Sequence, residues 1–220
     1  MIIYHGTDHV LSKPLFGFGK NDNDYGSGFY TTESPEKAAE WAINNGSDTS
    51  IVNKYEIDTT GLKVLYLDEY GVLAWVAEIV NNRGARGDIA NLRAEQFIGK
   101  YKIDTDSANI IIGYRADDSY FSFAQDFITG AISVRQLGNA MKLGNLGTQF
   151  VLKSQKAFDA IKFTGYEIAE SAEWFAKKEL RDKSARRQYF DVEKNRRQRG
   201  DLYFVQILDE EIKADDSRLR

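Results

Sequence analysis

The chain reads as an α+β protein, and three observations carry that reading. Ile51 to Ile57 and Lys63 to Leu67 alternate apolar and polar residues and are rich in β-branched and aromatic side chains, which is a strand signature. Tyr70 to Asn82 carries apolar residues at helical spacing and stops near Gly84, which predicts a helix. Strands and helices interleave without the strict strand-helix-strand repetition of a doubly wound parallel sheet.

Taken in order, Ile2 to Tyr4 is a short apolar run that reads as a buried strand delivering His5, Gly6 and Thr7 into a turn. Leu11 to Gly28 is rich in Gly, Asn and Asp and predicts a long irregular loop, which is uncommon unless it serves a site. Ser34-Pro35-Glu36-Lys37 supplies an N-cap and a proline at the first helical position ahead of Ala38, Ala39, Trp41, Ala42 and Ile43. Thr60-Gly61 separates the two strands at 51–57 and 63–67. Ala108 to Tyr114 and Thr148 to Leu152 have strand length and composition, and helices are predicted at Ser119 to Thr129 and Ser133 to Lys142. Ser154 caps a short helix through Ala160, and Ile161 to Ile168 reads as strand or strand then loop.

From Ala172 the pattern turns helical and charged. The composition shifts near Thr164-Gly165, so the expected organisation is one domain over residues 1–165 and a helical C-terminal extension over 166–220, packed on the body through Trp174, Phe175, Tyr189, Phe190, Tyr203 and Phe204. No internal repeat or low-complexity tract is visible.

Composition excludes several classes. With 42% hydrophobic and 28% charged residues the 220-residue chain can build an ordinary globular core. There is no cysteine, which removes disulfides, thiolate metal sites and a cysteine nucleophile and makes the cytoplasm the expected compartment. Met1 leads into Ile2, Ile3, Tyr4 and His5 with no basic region ahead of an apolar stretch, so no secretory signal is expected. The apolar stretch Val72 to Val80 falls far short of the ~20 residues that cross a bilayer. Net charge is −4, and the basic run from Arg181 to Arg199 is interleaved with Glu and Asp, which reads as a solvated helix with internal ion pairs rather than a nucleic-acid surface.

Two histidines are too few for most multi-histidine metal sites, and no metal is expected. His5 sits at a strand end beside Gly6, where its ring either is satisfied within a turn or points into a cleft. Asp24-Tyr25-Gly26-Ser27-Gly28-Phe29-Tyr30-Thr31-Thr32 brings two glycines into an aromatic pair and then hydroxyls. If Phe29 and Tyr30 begin a strand they point to opposite faces, one to the core and one to a cleft.

The runs Tyr4-His5-Gly6-Thr7 and Asp24 to Thr32, followed by Ala38, Trp41 and Ala42, then Ala108 to Gly113, Ala116-Asp117-Asp118, Thr148-Gln149-Phe150 and Lys156-Ala157-Phe158, resemble the bacterial family of domain of unknown function 3990, placed in the ADP-ribosyltransferase-like superfamily. The resemblance spans most of the chain and extends to an acidic ending near Asp215-Asp216. It implies a clamp of two packed, split β-sheets that binds NAD+ as substrate. In that clamp His5 would bond the adenosine-side ribose, the Gly6 backbone would hold the nicotinamide carboxamide, Tyr30 would stack on the nicotinamide ring, and Thr7 and Gly28 would line the same pocket. The third position of the superfamily triad, usually glutamate, corresponds to Gln149.

An amide stabilises developing positive charge on the ribose less well than a carboxylate does. Asp117 or Asp118 is the expected substitute, and the competing role for either is capping a helix that starts near Ser119. The implied function is transfer of ADP-ribose from NAD+ to a macromolecular acceptor, as a toxin neutralised by a small antitoxin protein. The alternatives are a module that binds NAD+ or ADP-ribose without catalysis and an interaction module that uses the C-terminal helices.

Overall fold

The computed structural model describes residues 1–43, 50–84, 88–116, 118–143 and 147–219. Among them the chain forms two sheets and eight α-helices, with no closed barrel, so the α+β expectation holds. The first sheet is antiparallel in the order β1 (Ile2–Thr7), β3 (Ile51–Ile57), β7 (Ile161–Ile168). The second has the order β2 (Phe29–Thr31), β6 (Thr148–Leu152), β5 (Ile110–Tyr114), β4 (Val64–Tyr66), and its β4–β5 pair is parallel.

The sheets meet at one seam. Tyr4 of β1 and Thr32, just past β2, exchange both backbone hydrogen bonds at 2.7 and 2.9 Å. Between the sheets lie Ile3, Phe29, Tyr55, Ile57, Ile110, Ile112, Phe150 and Leu152, all buried. The period-two alternation of a strand sends the neighbours Leu65, Ile111 and Val151 to the opposite face of the second sheet. There they pack under α2 (Gly71–Arg83), α3 (Asp88–Tyr101), α4 (Asp118–Ile128) and α5 (Val134–Ala140). Phe29 and Tyr30 do take opposite faces, Phe29 in the layer between the sheets and Tyr30 against the helical layer.

On the far side of the first sheet lies α1 (Pro35–Ala42), started by the Ser34 hydroxyl accepting from the Lys37 N–H at 3.2 Å. Gly6 permits this packing: a Cβ there would collide with the backbone carbonyl of Ala38 and sit 2.7 Å from the Ala42 nitrogen. The sequence pattern supports α3 through Ala94, Phe97, Ile98 and Tyr101, an i, i+3, i+4, i+7 set, although no helix is expected there from the reading above.

The composition shift at Thr164-Gly165 falls inside β7, which runs on to Ile168. After the short helix α6 (Gln155–Asp159) and β7, the long α7 (Ser171–Gln188) reaches α1 through Arg181, whose guanidinium meets Glu40 at 3.1 Å. A π-helical turn at Tyr189–Glu193 and α8 (Phe204–Asp209) then close the helical layer. Tyr189, Phe204, Ile207, Leu208 and Ile212 are buried in the same cluster as Trp75, Phe97 and Phe127. Polar ties fix this return: Tyr189 donates to Asp126 at 2.6 Å, and Arg135 donates to Asp201 at 2.7 and 3.0 Å. Among the described residues no helix is long and apolar enough to cross a membrane.

Candidate functional site

β1 alternates Tyr4 and Gly6 toward α1 with Ile3, His5 and Thr7 toward the second sheet. Where the seam ends after the Tyr4–Thr32 bridge, the sheets part and His5 fills the opening. Its Nδ1 lies 2.7 Å from the Tyr30 carbonyl oxygen, and its ring centroid is 4.6 Å from that of Phe29. A carbonyl can only accept, so Nδ1 carries the proton and Nε2 is left as an acceptor. Burial holds the His5 pKa below 6.5, opposed by the bond to Tyr30 and helped by His9, so the ring is neutral near pH 7.

Gly6 shares the strand parity of Tyr4, so its N–H and C=O face the edge along which Tyr4 meets Thr32, beyond that bridge.

Tyr30 is held by its hydroxyl, which accepts from the Tyr25 N–H at 2.9 Å and donates to the Gly26 carbonyl at 2.7 Å. Burial pushes this phenol well above its ordinary range. The hydroxyl is therefore committed to the turn at 25–26, and what Tyr30 offers a ligand is the face of its ring. Gly28 lets β2 approach β6 closely, since a Cβ there would lie 2.6 Å from a Val151 methyl.

A cavity of about 730 Å³ opens over these groups, lined by His5, Gly6, Thr7, Gly28 and Tyr30. The loop expected between Leu11 and Gly28 forms its wall, bringing Lys13, Phe16, Phe18 and Lys20, while Lys153 and Phe158 approach from the other side. Lys153 donates to the Tyr25 carbonyl, and burial lowers its pKa. The cavity thus combines aromatic faces, three lysines and a neutral imidazole acceptor.

A second cavity of about 320 Å³ lies on the other side of Tyr30, lined by Asp24, Tyr30, Trp41, Arg83, Arg115 and Gln149. Gln149 has the strand parity of Val151, which turns it to the helical face of the second sheet, where it is buried. Its Nε2 donates to Asp24 Oδ2 at 2.9 Å. Asp24 Oδ2 also accepts from the Ala116 N–H at 2.8 Å, and Oδ1 accepts from Arg83 at 3.0 Å. Burial pushes the Asp24 carboxyl above its ordinary range, against the pull of those three donors. The Arg115 guanidinium lies 4.8 Å from the centre of the Trp41 ring, and the Trp41 Nε1 is buried with no hydrogen-bond partner among the described residues.

Tyr30 is therefore shared by two cavities, His5 lining the larger and Gln149 the smaller. Asp117 lies outside the described residues, and Asp118 is the first residue of α4. The carboxylate that meets Gln149 is that of Asp24, which opens the run Asp24 to Thr32. Its partner Arg83 is 59 positions away, so nothing local in the sequence marks the pair. Among the described residues no group of three His, Asp or Glu side chains could hold a metal ion.

The family model described as protein of unknown function (DUF3990) matches residues 1–163. The chain belongs to this family. Comparison with curated proteins and with solved structures gave no match. The family match ends within β7, so it includes His5, Asp24, Tyr30 and Gln149 and leaves out α7 and α8.

Proposed function

We propose that this family member binds NAD+ in the larger cavity and transfers ADP-ribose from it to a macromolecular acceptor, the two sheets acting as the split clamp of the ADP-ribosyltransferase-like superfamily. The observation that carries the reading is the His5 Nδ1 to Tyr30 carbonyl bond at the point where the sheets part. It ties a neutral imidazole acceptor to Tyr30, and both residues line one opening. His5 Nε2 accepts a ribose hydroxyl, the Gly6 backbone edge meets the carboxamide, and the Tyr30 face covers the nicotinamide ring. The lysines at 13, 20 and 153 suit a diphosphate.

In the reaction the bond between the nicotinamide nitrogen and the ribose carbon breaks, and its electron pair leaves with nicotinamide. The acceptor nucleophile bonds that carbon and gives up its proton to solvent. The buried carboxylate of the smaller cavity, Asp24, is already spent on Arg83, Ala116 and Gln149, and Asp22, which also lines that cavity, is exposed to solvent, which would screen its help to the positive charge that develops. That observation favours a second reading, in which the clamp holds NAD+ or an ADP-ribosyl group without turnover. A toxin role with a small antitoxin protein follows from the family resemblance alone, and a cytoplasmic setting from the lack of cysteine in the sequence.

Incubation with NAD+ tests the choice. Release of nicotinamide supports the transferase, NAD+ binding without release supports the binding module, and absence of both removes the NAD+ reading.

A further inference from the structure

We propose that Asp24 is the positioning residue of Gln149: it fixes the amide so that the carbonyl, not the nitrogen, is presented to the smaller cavity, making that corner a receptor for a ligand hydroxyl. This rests on the NAD+ reading, in which the ribose next to the Tyr30 ring supplies the hydroxyl.

An ionised carboxylate has only acceptors to offer, so the end of Gln149 that meets Asp24 Oδ2 at 2.9 Å must be the NH₂. The flipped amide would set two acceptor oxygens against each other. Asp24 cannot turn aside to relieve this, because Ala116 N–H holds Oδ2 at 2.8 Å and Arg83 holds Oδ1 at 3.0 Å. Arg83 is itself fixed by donating to the Ala116 carbonyl at 2.8 Å. Gln149 is 3% exposed and lines the cavity, so its orientation is decided by these contacts and not by solvent. The result is an acceptor without net charge at the position where the superfamily usually has a carboxylate.

A simple return to glutamate should therefore fail here. In Gln149→Glu one carboxylate faces another across a hydrogen-bond distance, and one of them has to take up a proton or move. Exchanging the two roles relieves the repulsion between carboxylates, since in Asp24→Asn/Gln149→Glu an amide again faces a carboxylate, but the NH₂ that replaces Oδ2 now meets the Ala116 N–H, so the rescue is partial.

The test uses the full chain with NAD+ as the probe, and measures affinity, nicotinamide release and the thermal unfolding midpoint for the parent, both single variants and the exchange variant. Each single variant is expected to lose NAD+ affinity tenfold or more, and the exchange variant to bind at least threefold more tightly than Gln149→Glu. An NAD+ analogue lacking the nicotinamide-side ribose hydroxyls should bind the parent at least tenfold more weakly and discriminate little between the parent and Asp24→Asn. A parent that binds NAD+ while both single variants keep its affinity overturns the proposal alone. So does an exchange variant that regains the unfolding midpoint without regaining affinity, since the pair would then serve only the fold. A parent with no affinity for NAD+ overturns the NAD+ reading and this proposal with it.

Discussion

The two cavities that meet at Tyr30 differ in what their polar groups are doing. In the larger one His5, Tyr30 and Lys13 line the opening, and the bonds that hold His5 and Tyr30 use Nδ1, the backbone carbonyl and the phenol hydroxyl. In the smaller one the groups answer each other: Asp24 takes three donors, and Gln149 is one of them. A cavity whose groups are fixed from behind and unspent in front is built to receive a ligand. A cavity whose buried charges are mutually satisfied is built to hold shape, and those groups can contribute only what that pairing leaves over. The same loop, Asp24 to Gly28, serves both, since its carboxylate faces one cavity and its turn anchors the Tyr30 hydroxyl for the other.

The largest effect is expected from shortening the chain. A chain ending at Gly165 loses the last strand residues of β7 together with Tyr189, Phe204, Ile207, Leu208 and Ile212, which back the helices carrying Arg83. At about 1.5–3 kcal/mol for each buried side chain, five such residues amount to roughly 7–15 kcal/mol, the size of a whole domain's stability. The shortened chain is expected to show no cooperative unfolding transition by circular dichroism. A sharp transition would establish that residues 1–165 stand alone and that both cavities are properties of that unit.

Next comes Asp24→Ala, which leaves the Arg83 guanidinium and the Ala116 N–H without their carboxylate. Breaking a buried pair from one side costs about 3 kcal/mol or more. Urea unfolding should register that loss, whereas His5→Ala, at the open cavity, should cost well under half as much. Equal costs would erase the distinction between the two cavities.

Tyr30 separates the uses of one side chain. Tyr30→Phe removes both hydroxyl bonds and orphans the Tyr25 N–H, for a stability loss of about 1–2 kcal/mol, yet keeps the ring. NAD+ affinity should stay within about threefold of the parent by calorimetry, while Tyr30→Ala should lose about tenfold or more, the scale of one aromatic contact. If Tyr30→Phe is as damaging as Tyr30→Ala, the hydroxyl and not the ring face is what the ligand uses.

The smallest effect concerns pH. Burial lowers the His5 pKa from 6.5, so as pH falls the unfolded chain takes up this proton before the folded one. The stability that the neutral ring contributes is therefore complete above about pH 6.5 and is lost as pH falls below it toward the folded-state value. Unfolding midpoints between pH 7.5 and 5.5 should decline in the parent and decline less in His5→Gln.

Much of this was legible in the sequence where the signal is local. Ser34-Pro35 started α1, Gly84 ended α2, and the alternation of residues 51–57 gave β3, because caps, breakers and periodicity act within a few positions. The opposite facing of Phe29 and Tyr30 also follows from strand geometry alone. The helix at Asp88–Tyr101 is legible in the spacing of Ala94, Phe97, Ile98 and Tyr101, although the segment is polar at most of its other positions. What could not be read was the partner of Asp24: its donors come from residues 83, 116 and 149, brought together only when the second sheet and α2 have packed. For the same reason the local sequence points to Asp117 and Asp118, an adjacent acidic pair, and not to Asp24, the carboxylate that meets Gln149.

The central claim is that the larger cavity is a site for NAD+ with His5 as its hydroxyl acceptor, and calorimetric titration of NAD+ into the parent and His5→Ala tests it most directly. Saturable one-to-one binding in the parent, weakened tenfold or more in a His5→Ala protein that still unfolds cooperatively, is the expected result. Binding of equal strength in both, or none in the parent, would contradict it.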